Sequence, residues 1–202
     1  AQPQAWQFQP WTFATRTFGN SWTLPTDTVS YELQFSGPFL MRQFSDRRCE
    51  VMNLATGDRL GLWVWNLDRL NAIYAAVSPD GQLAVAGSES GTAVVCEVAS
   101  GKEVGRLVGH LAGIHSTAFS PDNRRIITGS GTLESIKVWD AGTWQELLTL
   151  PGKGALFRGT RFLQDGTTLV SENDAGILHV WRAPAWKEIA MAETFRESDR
   201  IR

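Results

Sequence analysis

The sequence predicts an all-β fold built of successive four-stranded antiparallel sheets, and an internal repeat of about 42 residues is the main reason. One register of this repeat is a tight-turn motif in which Pro presets φ, Asp bonds its own backbone and Gly or Asn accepts a left-handed conformation. Its four copies are Phe35-Ser-Gly-Pro38, Val77-Ser-Pro-Asp-Gly81, Phe119-Ser-Pro-Asp-Asn123 and Phe162-Leu-Gln-Asp-Gly166.

A second register of aromatic residues has the same spacing. Trp139 and Trp181 lie about 42 residues apart, and so do Trp144 and Trp186. Nine tryptophans in 202 residues are an unusually high number. We expect most of them to fill the gaps between neighbouring sheets.

Two dipeptides carry a family resemblance. Gly109-His110 opens one unit and Trp139-Asp140 closes it. With the period, they make residues 31–182 similar to the WD40 family, whose repeats form the four-stranded blades of a β-propeller. The resemblance implies an incomplete ring of about four blades, and the final segment is similar to the ends of WD40 arrays in bacterial multidomain regulatory proteins.

The repeat divides the chain into three parts. Residues 1–30 are expected to be a partial upstream blade or closing strands, with a hairpin over residues 11–24 that turns at Gly19-Asn20. The blades are expected at residues 31–66, 67–108, 109–150 and 151–182, with inner strands near Tyr31, Ile73, His115 and Arg158. Residues 183–202 contain helix formers after Pro184 and are predicted to form a short C-terminal helix or tail.

Composition excludes several classes of function. A net charge of −2 disfavours binding to nucleic acid, which requires a clustered basic face. No apolar run is long enough to span a membrane. The two cysteines, Cys49 and Cys96, have no metal-site spacing, and Cys96 is expected to be a buried apolar residue. We expect a cytoplasmic protein without a cofactor or metal, and we interpret the start at Ala1 as a piece of a longer protein or a processed product.

The residues that could carry chemistry have structural explanations. By resemblance, His110, Ser130 and Trp139 belong to a hydrogen-bonded network with an aspartate, whose place is occupied by Leu133. Asp140 and Trp181 complete the structural motif. The segments Gly87–Gly91 and Pro151–Gly154 lack the residues of a nucleophile elbow and a phosphate-binding loop. We therefore predict no enzyme activity; the alternative is a hydrolase or other enzyme with a site in the central channel of the propeller.

A binding surface is the function that remains. By resemblance, partners contact one end of each blade, at two positions on the inner strand and one before the structural aspartate. These positions are Asn71, Ile73 and Glu89 in blade two, Gly113, His115 and Thr132 in blade three, and Leu156, Arg158 and Asp174 in blade four. Their mixed chemistry predicts a protein or peptide partner, so the chain is expected to be a protein–protein interaction scaffold. Open blade edges also predict possible self-association.

Overall fold

The computed structural model describes residues 5–12, 15–25, 30–44, 46–67, 74–131 and 134–184. These residues form nineteen β-strands and no helix, and every strand pairing is antiparallel. The predicted all-β fold of four-stranded units is therefore confirmed. No helix among them is long and apolar enough to cross a bilayer.

An N-terminal hairpin contains the first four strands, which are β1 (Ala5–Phe8), β2 (Trp11–Thr12), β3 (Thr17–Phe18) and β4 (Trp22–Pro25). Strand β1 pairs with β4, and β2 pairs with β3. The predicted turn at Gly19-Asn20 is wrong, because the Gly19 amide donates to the Pro10 carbonyl at 2.8 Å and so lies within the paired arms. The chain reverses between β2 and β3, where Arg16 takes a φ of 54°.

Three complete blades follow the hairpin, each with its strands in sequence order. Blade one contains β5 (Ser30–Ser36), β6 (Phe39–Phe44), β7 (Arg48–Asn53) and β8 (Arg59–Val64). Blade two contains β9 (Tyr74–Val77), β10 (Leu83–Gly87), β11 (Thr92–Glu97) and β12 (Glu103–Val108). Blade three contains β13 (Ser116–Phe119), β14 (Arg125–Gly129), β15 (Ile136–Asp140) and β16 (Glu146–Leu150).

Blade four has three strands among the described residues, which are β17 (Arg158–Phe162), β18 (Thr168–Glu172) and β19 (Leu178–Arg182). Strand β19 pairs only with β18, so its other edge has no strand partner among the described residues. The predicted C-terminal helix falls on residues 185–202 and lies outside the described residues.

The turn between the first two strands of a blade forms as its sequence predicts. In blade two the Ser78 hydroxyl donates to Asp80 Oδ1 at 2.6 Å, and the Gly81 amide donates to the Ser78 carbonyl at 2.8 Å. Gly81 has a φ of 76°, and Asn123 occupies the same place in blade three with a φ of 61°. The turn motif therefore fixes where each inner strand ends.

Apolar faces of neighbouring blades pack against each other. Trp63 of blade one lies directly against Gly101 of blade two, where a side chain at position 101 would overlap the indole. Cys96 is 3% exposed in the same cluster, as predicted, and burial raises the pKa of its thiol to about 11. Each blade is thus stabilised mainly by burial against its neighbours.

The hairpin packs on blade one as blade one packs on blade two. Trp22 of β4 lies against Gly57, in the manner of Trp63 against Gly101. The Phe8–Trp22 pair of the hairpin corresponds in register to the Cys49–Trp63 pair of blade one. By this geometry, β1 and β4 take the places of the two outer strands of a preceding blade.

Candidate functional site at the inner strands

A buried network joins three side chains of blade three. Thr128 Oγ1 accepts a hydrogen bond of 2.8 Å from Trp139 Nε1 and lies 2.7 Å from His110 Nε2. The imidazole tautomer decides which group donates in the contact between Thr128 and His110, because the hydroxyl oxygen has two lone pairs and one proton. Burial, followed by the nearby Lys137 charge, lowers the pKa of His110 to about 4 and favours the neutral imidazole.

The network differs from the predicted one at a single position. Ser130 was expected as the hydroxyl partner of His110 and Trp139, and that prediction was wrong. Ser130 follows the end of β14, and its hydroxyl hydrogen-bonds the Ala112 and Gly113 carbonyls at 3.1 and 2.7 Å. His110 Nδ1 is buried without a hydrogen-bond partner among the described residues, in a unit whose sequence has Leu133 where the resemblance requires aspartate. These contacts give His110 a structural position.

The two remaining motif residues also make local contacts. Asp140 Oδ1 accepts hydrogen bonds from the Gly142 amide at 3.0 Å and the Thr143 amide at 2.8 Å, and these bonds lower the pKa of its carboxyl group. Trp181 stacks on His179 with ring centroids 5.3 Å apart. Asp140 therefore stabilises the turn that follows β15, and Trp181 packs against a residue of its own strand.

The inner strands β5, β9, β13 and β17 are joined by hydrogen bonds from one blade to the next. Gln34 Oε1 accepts from the Ala75 amide at 3.0 Å, and the Thr117 hydroxyl donates to the Tyr74 carbonyl at 3.2 Å. The buried Ser116 hydroxyl lies 2.6 Å from Thr160 Oγ1 and 3.0 Å from the Phe157 carbonyl. These contacts fix the spacing between adjacent inner strands.

A cleft of about 200 Å³ opens over this row of inner strands. Its floor contains Gln34, Ser116, Thr117 and Thr160, and its other lining residues include Tyr74, His115 and Arg158. The Tyr74 and His115 rings meet edge to face, with centroids 5.7 Å apart. The structure therefore brings together the predicted residues His115 and Arg158. We call this opening the inner cleft.

Four other predicted binding residues, Glu89, Gly113, Leu156 and Asp174, lie at the same end of the blades, on the connectors between blades and the turns between second and third strands. We call this end the rim. Glu89 packs beside Gly113, since a β-carbon on Gly113 would stand 3.1 Å from the Glu89 α-carbon. Leu156 lies by the Gly131 turn, and the Asp174 amide approaches the Ala155 carbonyl at 3.4 Å. Asn71, Ile73 and Thr132 lie outside the described residues.

Tyr74 and Gln34 are cleft residues that sequence reasoning missed. The predicted position on the inner strand of blade two is Ile73, one residue before Tyr74. The signal that could have identified Tyr74 is a tyrosine at the first position of an inner strand, next to the histidine of the following blade. Gln34 gave no such signal, because a glutamine on a half-buried strand is common.

Comparisons with known proteins agree with this architecture. The family model "WD domain, G-beta repeat" matches residues 101–140, which contain β12 and the first three strands of blade three. Protein HIR1 of Cryptococcus neoformans is 26% identical over 182 residues, covering 85% of this chain and 18% of HIR1. RACK1y of Oryza sativa subsp. japonica, a small ribosomal subunit protein, is 31% identical over 144 residues, covering 68% of this chain and 41% of RACK1y.

The chain belongs to the WD40-repeat family. A bacterial WD40 relative, the WD repeat-containing protein sll1491 of Synechocystis, is 32% identical over 97 residues, covering 48% of this chain and 27% of that protein. The crystal structure of the computationally designed Ika4 protein superposes with a TM-score of 0.58 at 26% identity, over 78% of this WD40 chain and 93% of Ika4. This chain spans less than half the length of each of the three curated relatives.

Proposed function

We propose that this WD40 chain is the interaction part of a larger regulatory protein and binds a polypeptide partner at the rim. The observation that carries the proposal is the gathering of Glu89, Gly113, His115, Leu156, Arg158 and Asp174 at one end of consecutive blades, beside the inner cleft. Membership of the WD40 family supports a scaffold. The relative RACK1y is a protein of the small ribosomal subunit.

The chemistry of the rim supports a polypeptide as the partner. Glu89, Arg158 and Asp174 are exposed charges of both signs, and the half-buried Leu156 offers an apolar contact. Protein interfaces combine a few apolar anchors with a polar surround in this way. The proposal includes a cytoplasmic location, for which the free thiols of Cys49 and Cys96 are suitable.

A charge reversal tests the proposal. Arg158→Glu combined with Asp174→Arg should change which proteins are recovered by affinity capture, because both side chains are exposed on the rim. The cost in the free energy of unfolding should be small, on the order of 0.5 kcal/mol per exposed charge.

A matched reversal at the opposite end of the blades serves as the control. Arg124→Glu with Asp58→Arg changes two exposed charges on turns away from the rim, and it should leave the recovered partners unchanged. Partners that ignore the rim reversal but are lost with the control reversal would place the interface at the other end and refute the proposal.

A further inference from the structure

The inner cleft contains an arginine that forms no ion pair with a described residue. Arg158 is exposed at the start of β17, and its guanidinium has neither an ion pair nor a hydrogen bond with a described residue. Other arginines are engaged: Arg106 pairs with Glu103 at 2.6 Å, and Arg48 pairs with Asp46 at 2.7 Å. The Arg158 guanidinium therefore offers its planar set of donors to a ligand.

A neutral imidazole lies beside this cation. Neither ring nitrogen of the half-buried His115 is hydrogen-bonded to a described residue, and its ring rests against Tyr74. Burial and the Arg158 charge lower the pKa of His115, while Glu89 raises it. A neutral imidazole retains one N–H donor and one acceptor nitrogen, so His115 can add a hydrogen bond to a group held by Arg158.

The floor of the cleft has little hydrogen-bonding capacity left for a ligand. Ser116, Thr117 and Thr160 direct their hydroxyls to neighbouring inner strands, and Gln34 Oε1 accepts from the Ala75 amide. The polar contacts open to a ligand thus come from Arg158, His115 and the Tyr74 hydroxyl. All of them can donate to an oxygen acceptor.

Size and neighbouring charge restrict the ligand further. The cleft volume of about 200 Å³ lies below the range of small-molecule pockets, which begins near 300 Å³, so it suits one side chain or one chain end. Glu172 lies opposite Arg158 in the sheet, and Glu89 acts on His115. These two carboxylates disfavour a dianion such as a phosphate and leave a single negative charge as the better match.

We propose that the inner cleft binds one carboxylate of the partner polypeptide, with the guanidinium of Arg158 holding both oxygens and His115 and Tyr74 donating to them. This inference rests on the proposed function and specifies the partner's chemistry at that surface. The carboxylate can belong to an aspartate or glutamate side chain or to a chain terminus. Guanidinium–carboxylate pairs of this kind are strong because they are charge-assisted and often bidentate.

Nuclear magnetic resonance of the 202-residue chain provides the test. The chain has three histidines, and we expect separate side-chain signals, so that His110 and His179 serve as internal references for His115. The probes are acetyl-Gly-Glu-Gly-amide, acetyl-Gly-Gln-Gly-amide and acetyl-Gly-Gln-Gly with a free carboxyl terminus. The glutamate peptide should shift the His115 signals and bind about tenfold more tightly than the glutamine amide, a ratio that corresponds to about 1.4 kcal/mol. The third peptide shows whether a terminal carboxylate serves as well.

A matched pair of variants completes the experiment. Arg158→Gln should weaken binding of the glutamate peptide about tenfold, whereas Arg161→Gln, the same change on the same strand but outside the cleft lining, should leave it unchanged. Equal binding of all three peptides at the cleft would overturn the carboxylate inference while supporting a peptide-binding rim. Equal losses in the two variants, or no shift at His115 with any carboxylate probe, would also overturn it. Failure of the rim charge reversal to alter partner capture is a separate result and counts against the proposed function itself.

Discussion

Trp139 and Thr128 are joined by a hydrogen bond of 2.8 Å between the indole Nε1 and the threonine Oγ1, on adjacent strands of blade three. The same oxygen lies 2.7 Å from His110 Nε2, so one buried hydroxyl is the hydrogen-bond partner of both the indole and the imidazole. Both rings lose a partner if that hydroxyl is removed.

Replacing this hydroxyl should destabilise the protein. We expect Thr128→Val to lower the free energy of unfolding by about 1–3 kcal/mol, because it leaves two buried polar atoms unsatisfied while conserving shape. Urea unfolding followed by tryptophan fluorescence measures the change. Thr92→Val is the control, since Thr92 also lies in a strand but its hydroxyl has no hydrogen bond with a described residue. A similar midpoint shift in both variants would contradict the role of the network.

His110 should make stability depend on pH. Its pKa is about 4 in the folded state and near 6.5 when unfolded, so the unfolded chain binds more protons between these values. This stability is fully present above pH 6.5 and is lost as the pH falls towards 4. We expect His110 to contribute a loss of roughly 1.5 kcal/mol between pH 6.5 and pH 5. His110→Gln should remove that part of the slope in urea titrations at several pH values, and a variant with the wild-type slope would refute the assignment.

A side chain at position 101 should disrupt the contact between blades one and two. Gly101 has a φ of 68°, and an added β-carbon would overlap the Trp63 ring. We expect Gly101→Ala to cost about 2–4 kcal/mol, from backbone strain and displacement of the indole. Gly37→Ala isolates the strain, because Gly37 has a φ of 57° and open space around its α-carbon; it should cost about 1–2 kcal/mol. Equal thermal shifts in the two variants would show that the Trp63 contact has no energetic role.

The outer face of blade four should associate with other apolar surfaces. Three apolar residues of blade four align with residues of blade three: Val170 with Ile127, Leu178 with Ile136, and Val180 with Val138. The three residues of blade three are 0%, 0% and 8% exposed. In blade four, by contrast, Leu178 is 65% exposed and Val180 is 59% exposed. We expect Val180→Lys to reduce apolar dye binding and self-association in light scattering, because it places a charge on this face. Val64→Lys, on the outer strand of blade one with 58% exposure, should change neither. A wild-type chain that is monomeric and binds no dye would contradict this prediction.

Much of this fold was predictable because one repeat dictates each blade. The Ser-Pro-Asp turns fix the ends of the inner strands, and Trp139 and Trp181 fix the third strands, so the blade registers follow from spacing. The N-terminal hairpin was harder, since Gly19-Asn20 has turn chemistry but its place is decided by the pairing of Trp22 with Phe8. At this position, tertiary packing overrides the local turn propensity of Gly19-Asn20.

The candidate site was only partly predictable. His115 and Arg158 follow from the repeat, because equivalent positions on neighbouring inner strands come together. Thr128 and Ser130 are both small hydroxyl residues two apart in sequence, and only the position of the Trp139 indole distinguishes them. To predict that Tyr74 lines the inner cleft, one would need the distance between adjacent blades, and no single repeat of the sequence contains that distance.

The hydrogen bonds between inner strands have a mechanical consequence. Each one connects a blade only to its immediate neighbour, as from Gln34 to Ala75 and from Ser116 to Phe157. A force applied between the two ends of the chain would therefore meet a series of separate links rather than one shared barrier. Among the described strands, the first and the last, β1 and β19, are each held by a single sheet partner, so extension should begin by peeling β1 from β4 or β19 from β18 and then proceed blade by blade. The protein would lengthen in steps, and each step would release about one repeat because each blade unfolds separately.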